Sequence, residues 1–299
     1  MISVITPSYN QGKYIERTLL SVLSQKGADF EYIVMDGGSS DETIDILKKY
    51  KKKYQDKLQW ISERDTGQAN AVNKGITRSV GDIIGWLNSD DIYYPGVLQL
   101  ISAFFDAHPG VDIVYGNADF IDEMDRFIGH YPTGTWNADR LCDVCFLCQP
   151  AVFFKRRVIE KHGLLDENLM YCMDYEYWLR LARAKSYFVY SPHILAGSRV
   201  YPETKTVAMR IAVHEEMLSM LVQRLGRAPD GWVVGYSHVM TEEKGLNPAH
   251  RPVRFVLSVM TITWKTAIRF NKKIRWGVIQ AFMLWFLNGV RFAHQHILR

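Results

Sequence analysis

The stretch Gly81-Asp82-Ile83-Ile84-Gly85-Trp86-Leu87-Asn88-Ser89-Asp90-Asp91 decides how the rest of the chain is to be read. An apolar run of strand length stops at an amide, a hydroxyl and two adjacent carboxylates. A run that is apolar on both faces fits a strand covered on both sides, as in a parallel sheet flanked by helices. Adjacent acids at its end repel one another unless a cation sits near them, and oxygen ligands of this kind suit Mg2+ or Mn2+. Such a cation calls for a second, anionic ligand, for example a diphosphate.

Outward from this stretch, β-rich runs at residues 2–6, 31–36, 58–62 and 112–115 alternate with helical patterns at 14–25, 41–54, 68–79 and 97–108. Ser39-x-x-Glu42 reads as a capping box for the second helix, and Pro95 with Gly96 marks the start of the fourth. The alternation predicts an α/β fold with a mainly parallel, Rossmann-like sheet flanked by helices. Beyond Gly116 the regularity fades into loops, a strand at 151–154, a helix at 174–184 and a strand at 187–190. A long amphipathic helix at 207–225 leads into a Gly- and Pro-punctuated stretch that ends at Pro252.

At 299 residues and 47% apolar, the chain holds ample material for a core and is not a disordered polymer. The start, Met1-Ile2-Ser3-Val4-Ile5, reads as an immediate strand without the pattern of a signal peptide, so a cytoplasmic setting is expected. Cys142, Cys145 and Cys148 are crowded together, with Cys172 apart, which is not a secreted disulfide framework. A zinc or iron–sulfur site is the alternative, but the first three lie in an apolar run where buried thiols are common.

In an open α/β sheet ligands bind beyond the carboxyl ends of the strands. Those ends are polar here: Thr6-Pro7-Ser8-Tyr9-Asn10, Asp36-Gly37-Gly38-Ser39-Ser40-Asp41 and Asn88-Ser89-Asp90-Asp91. Each has a bland reading as caps and turns, yet three such clusters on one rim point to a polar ligand. Neither GxGxxG after the first strand nor GxxxxGK[ST] occurs, so dinucleotide-binding and P-loop classes lose their usual support. A nucleotidyltransferase is also disfavoured, because residues 6–11 lack a Gly-rich loop with Arg and Lys.

The chain resembles the family 2 glycosyltransferases with the GT-A fold. The likeness runs over roughly residues 2–206, in ordered pieces at 6–11, 36–43, 62–68, 73–75, 81–91, Gln149-Pro150 and 173–180. It implies an inverting, metal-dependent transfer of a sugar from a nucleotide diphosphate, a UDP-sugar in the first instance, to a glycan or lipid-linked acceptor of surface-polysaccharide type. Thr6, Pro7, Tyr9, Asn10 and Asp36 would hold the nucleotide, with Tyr9 against the base and Asp36 accepting from a base N–H. Asp65 and Asn73 would line the same pocket. Asn88-Ser89-Asp90 resembles the DxD element, so Asp90, with Asp91 after it, would ligate Mn2+ or Mg2+, while Asn88 departs from the usual first acid. Asp174 stands where the family's catalytic base does; its bland alternative is a helix cap. Arg199 and Lys205 would contact the diphosphate, and Tyr201 occupies the place of an expected metal-binding histidine. These departures leave room for a degenerate, non-catalytic nucleotide-sugar-binding or assembly subunit as the rival reading.

The implied layout is a catalytic domain at 1–206, with a nucleotide half at 1–116 and an acceptor half at 117–206, then a helical segment at 207–250 and a tail at 251–299. The tail holds nine Lys or Arg and no acid, which leaves 27 basic against 32 acidic residues elsewhere. A purely basic tail on an acidic body suggests an anionic partner for the tail, with a membrane surface expected and nucleic acid not. Its longer apolar run, 276–290, is 15 residues, too short to span a bilayer, so an interfacial helix carrying Trp264, Trp276 and Trp285 is expected at the inner face of the plasma membrane. The alternative is that these runs pack on the protein itself or on a second subunit of a homo-oligomer.

Overall fold

Ile2–Ser8 forms strand β1, buried along its whole length, because it supplies the centre of a sheet covered on both faces. The computed structural model describes residues 1–280 with Phe282 and Met283; Trp285 and the end of the 276–290 run lie outside the described residues. Beside β1 run β2 (Phe30–Asp36), then β3 (Leu58–Ser62) on one side and β4 (Ile83–Trp86) on the other, all parallel. Helices α1 (Gly12–Leu23), α2 (Thr43–Lys53) and α3 (Gln68–Arg78) make the crossovers. The fit of α3 on β1 needs a glycine, since a Cβ on Gly75 would lie 2.4 Å from Ile5 Cγ2.

The expected capping box does not form. The N-cap of α2 is Glu42, without a side-chain cap, while Ser39 Oγ donates to Asp36 Oδ1 at 2.5 Å. Asp41 takes over at that helix start: its Oδ1 accepts from the Thr43 N–H at 3.1 Å and its Oδ2 from the Gly12 N–H at 2.8 Å. Burial opposes ionisation of Asp41, but the bonds from Thr43 and Gly12 prevail and hold its carboxyl below the usual range.

After β5 (Ile92–Tyr93) and α4 (Val97–Ala107), the chain does not dissolve into loops as the pattern beyond Gly116 suggests. Strand β6 (Ile113–Ile121) runs past the expected end near Tyr115, pairs with β7 (Phe127–His130) and continues the same sheet. Helix α5 (Ala138–Asp143), a 3-10 turn at Gln149–Ala151, β8 (Val152–Lys155), α6 (Arg156–His162), α7 (Met173–Arg183) and β9 (Phe188–Arg199) complete it. The order is β3-β2-β1-β4-β8-β6-β9-β5. The first four strands are parallel, β8 is antiparallel to both β4 and β6, and β9 is parallel to β6. None of the four cysteines is joined in a disulfide, and Cys148 and Cys172 are buried, in keeping with the thiol reading.

The chain divides into two units: Met1–Ala138 with Cys145–Pro202, and Asp139–Val144 with the chain from Glu203 onward. The second is helical: α8 (Lys205–Ala208), α9 (Arg210–Leu225), α10 (Asp230–Glu243) and α11 (Pro252–Asn271). The expected helix at 207–225 is interrupted at Met209, and α10 occupies the stretch expected to be punctuated loop. The expected segments 207–250 and 251–299 share one core, in which Leu218, Val233, Tyr236 and Ala267 meet. Phe255 and Val259 of α11 are buried as well, each such side chain contributing about 1.5–3 kcal/mol. Asn271 ties the helix end down, its Oδ1 accepting from the Ala228 N–H at 2.7 Å.

Candidate active site

Because β1 to β4 are parallel, their carboxyl ends share one edge, and Ser8, Asp36 and Ser62 lie side by side in register. Beyond that edge Tyr9 is 61% exposed. A Cβ on Gly37 would come within 2.6 Å of Asp65 Oδ2 and 3.3 Å of Tyr9 Cδ2, so the glycine lets an aromatic ring and a carboxylate approach the turn closely, with a narrow slot between them. Asp65 is steadied by its Oδ1, which accepts from the Gly67 N–H at 2.9 Å. The slot offers a stacking surface and a hydrogen-bond acceptor, the two features that a nucleobase uses.

The residues around it build the frame. Asp36 is buried, and its Oδ2 accepts from Gly38 N–H, Ser39 N–H and Ser62 Oγ at 3.0, 2.9 and 2.6 Å while Oδ1 takes Ser39 Oγ. Asp36 was expected to accept from the base; four internal donors instead make it the organiser of the turn beneath the slot. Asn73 was expected to line the pocket, but it is buried and locked to the 165–167 loop, with Nδ2 on Leu165 O and Glu167 Oε1 and Oδ1 taking the Leu165 N–H. Thr6 Oγ1 lies 3.0 Å from the Tyr32 hydroxyl in the core, and Pro7 is buried in β1. Asn10, at φ 51, bridges the first two strand ends through Ser39 Oγ and the Ser40 N–H.

The 88–91 turn is held in the same way. Asn88 Oδ1 accepts from Trp86 Nε1 at 2.9 Å and Gln68 Nε2 at 2.7 Å, and its Nδ2 donates to Asp91 Oδ2 at 3.3 Å. Both lone pairs of the amide oxygen are thereby engaged, so Asn88 pins the turn and is not placed to ligate a metal. The Ser89 and Asp91 carbonyls both accept from Thr18 Oγ1. Asp91 is buried, with Oδ1 accepting from the Arg199 N–H at 2.9 Å, and burial together with the charge of Asp90 raises its carboxyl far above the usual range. Its metal-ligand expectation thus gives way to a structural position between Asn88 and β9. Arg199 likewise turns away from a diphosphate role: Nε donates to Asp90 O at 2.7 Å, Nη1 to Asp122 O at 2.8 Å, and the side chain is fully buried beside Asp125.

Asp90 is half-buried, and its Oδ2 accepts from the Tyr201 hydroxyl at 2.9 Å. The Tyr201 ring packs on Tyr14 at 4.6 Å, and burial followed by the Asp90 charge keeps its phenol protonated. Among the described residues no three His, Cys, Asp or Glu are grouped to hold a metal. Asp90 is thus a single half-buried carboxylate at the rim, a hard oxygen donor of the kind that holds Mg2+ only together with substrate phosphates and water. Lys205 starts α8 in the second unit.

Asp174 lies in the first turn of α7, whose N-cap is Cys172, so it is not the cap. Burial pushes its carboxyl up to about 6, against hydrogen bonds from the Tyr175 and Asp174 backbone that lower it. Cys148 is buried, and burial first, with the charges of Asp91 and Asp174 after it, pushes its thiol well up. Gln149 follows, with Nε2 donating to Trp86 O at 2.5 Å. Its role was not legible beforehand, nor were those of Gln68 and Thr18, because their partners lie far away in sequence.

The profile of Glycosyl transferase family 2 matches residues 3–163. An uncharacterized glycosyltransferase of Rickettsia typhi is 29% identical over 255 residues, covering 80% of this chain and 76% of that one. A PGL/p-HBAD biosynthesis glycosyltransferase of Mycobacterium bovis is 27% identical over 199 residues, 66% of this chain and 76% of that one. In fold, TarS of S. aureus with UDP-GlcNAc superposes with a TM-score of 0.61 at 17% identity, covering 90% of this chain and 81% of that one. The mannosyltransferase PcManGT of Pyrobaculum calidifontis, in complex with GDP-Man and Mn2+, gives 0.61 at 16% identity, covering 98% and 80%.

Proposed function

Because the chain belongs to glycosyl transferase family 2, we propose that it is an inverting transferase that moves a sugar from a nucleoside diphosphate, a UDP-sugar first, to a hydroxyl of a glycan or lipid-linked glycan. The observation that carries this reading is the shared strand-end rim, which holds the exposed Tyr9 ring beside the Asp65 carboxylate over Gly37 and, at the end of β4, the Asp90 turn. Tyr9 stacks on the base and Asp65 accepts from a base N–H. Asp90 holds Mn2+ or Mg2+ together with the donor's diphosphate, and the bound cation supplies Lewis-acid stabilisation of the leaving phosphate. Asp174, with its carboxyl near 6, takes the proton of the acceptor hydroxyl. The acceptor oxygen bonds to the anomeric carbon as the bond to the diphosphate breaks, and a single displacement inverts that carbon. The acceptor class is supported by the M. bovis relative, whose name ties it to PGL/p-HBAD biosynthesis.

A panel of UDP-, GDP-, dTDP- and CMP-sugars, each with and without Mn2+, tests the proposal by thermal shift and by donor hydrolysis. A metal-dependent stabilisation by one donor with its slow hydrolysis is expected. If no donor stabilises or is hydrolysed, the proposal falls; stabilisation without any turnover toward glycan acceptors returns the chain to a non-catalytic binding subunit.

A further inference from the structure

Helix α11 is apolar on two faces. Phe255, Val259 and Ala267 point into the core of the second unit and are buried. Val253, Leu257, Trp264 and Ile268 recur at helical spacing on another side and are 66%, 58%, 56% and 43% exposed. Large apolar side chains aligned in one open stripe mark an interaction surface, unlike the isolated exposed residues of any protein.

The charges beside the stripe say what covers it. Arg254 and Lys265 lie along its edge with Arg269, which is paired with Glu215 of α9 at 3.1 Å, and α11 contains no acid. A groove of about 470 Å³ between α10 and α11 opens on the same side, lined among others by Met240, Lys244, Leu257, Lys265 and Arg269. A second copy docked stripe to stripe about a two-fold axis would bring these cationic edges together. An anionic surface meets both features at once. No helix among the described residues is long and apolar enough to cross a membrane.

We propose that this face of α11 docks in the plane of an anionic membrane surface, with Leu257 and Trp264 seated at the acyl boundary and Arg254 and Lys265 at lipid phosphates. The anchor is then a fixed face of a folded unit and not a detachable tail, since the opposite face of the helix is core. It is independent of the reading of the active site.

The full chain is sedimented with vesicles of equal parts phosphatidylglycerol and phosphatidylcholine, and with phosphatidylcholine alone. Binding to the anionic vesicles only, weakened by salt, is expected. Arg254→Gln and Lys265→Gln should each lower the partition about five-fold. Leu257→Ser with Trp264→Ser should lower it about ten-fold or more while leaving the melting temperature unchanged, because both sites are exposed. The proposal is overturned if the wild type ignores anionic vesicles, if the variants bind as the wild type does, or if the double variant converts a dimer into a monomer, which would assign the face to a second copy.

Discussion

The 88–91 turn and the Tyr9–Gly37–Asp65 slot stand on one rim and are built in opposite ways. In the turn, the Asn88 amide, the Asp91 carboxylate and the Ser89 carbonyl all have protein partners, and Arg199 closes it from β9. In the slot, a 61% exposed ring faces a carboxylate across a gap that a single methyl would fill. Polar residues whose hydrogen bonds are internal keep the rim in shape; those left open meet the ligand. The same motif pieces thus divide into frame and contact, and substitution should separate the two by what each changes.

The largest effect is expected at Asp174, the proposed base, whose carboxyl is desolvated by burial but has, among the described residues, no side-chain partner of the kind that pins the turn. Asp174→Asn should lower transfer about 100- to 10,000-fold, with donor binding and melting temperature little changed, because an amide cannot accept the proton. The wild-type rate should also fall as pH drops through about 6, since burial raises the carboxyl to that value and only the ionised form acts as base. A pH–rate profile for kcat/KM checks both. Wild-type rates in the variant would move Asp174 into the frame.

Arg199→Ala should show the reverse signature. The side chain is fully buried, and removing it takes away the donors that its Nε and Nη1 supply to the Asp90 and Asp122 carbonyls and the closer of two cations beside Asp125, Arg17 remaining at 3.2 Å. A buried pair broken in this way costs about 3–5 kcal/mol, here toward the lower end because Asp125 keeps some contact with water. Urea unfolding is the measurement, and a variant of wild-type stability that has lost only donor affinity would restore Arg199 to the diphosphate.

This division was only partly legible in the sequence. The β/α alternation and the strand-end clusters are local patterns, and they placed β1 to β4 and the acid turn correctly. Asn88 and Arg199 were misjudged because their tasks depend on Gln68, on Asp91 and, for Arg199, on residues more than 70 positions away. The extension of β6 to Ile121 needs β7 and β9 as neighbours, which a window of sequence does not contain. Helix α10 was hidden by Gly231 and Gly235, and by apolar residues spread around its circumference.

Tyr9→Ala should leave stability within about 0.5 kcal/mol, because the ring is exposed, and should weaken donor binding by roughly 1–3 kcal/mol, the range for an aromatic ring stacked on a base. Calorimetry with UDP is the test. Equal affinity in variant and wild type would close the slot as a base site and leave the frame without its ligand.

The smallest and most discriminating change is Tyr201→Phe, because it touches the one acid where frame and contact meet. The Tyr201 hydroxyl donates to Asp90 Oδ2 at 2.9 Å, and the ring stays packed on Tyr14 when the oxygen is removed. A carboxylate that shares its charge with a donor attracts a cation less strongly. Loss of that donor, about 1 kcal/mol, should therefore strengthen Mn2+-dependent UDP binding about five-fold and lower stability by a similar amount. UDP binding without metal should not change. The comparison of UDP titrations with and without Mn2+ isolates the effect, since a merely structural tyrosine would shift both titrations alike. Weaker binding in the presence of metal would mean that the hydroxyl itself takes the place of the missing histidine, and Tyr201 would then pass from the frame to the contact set.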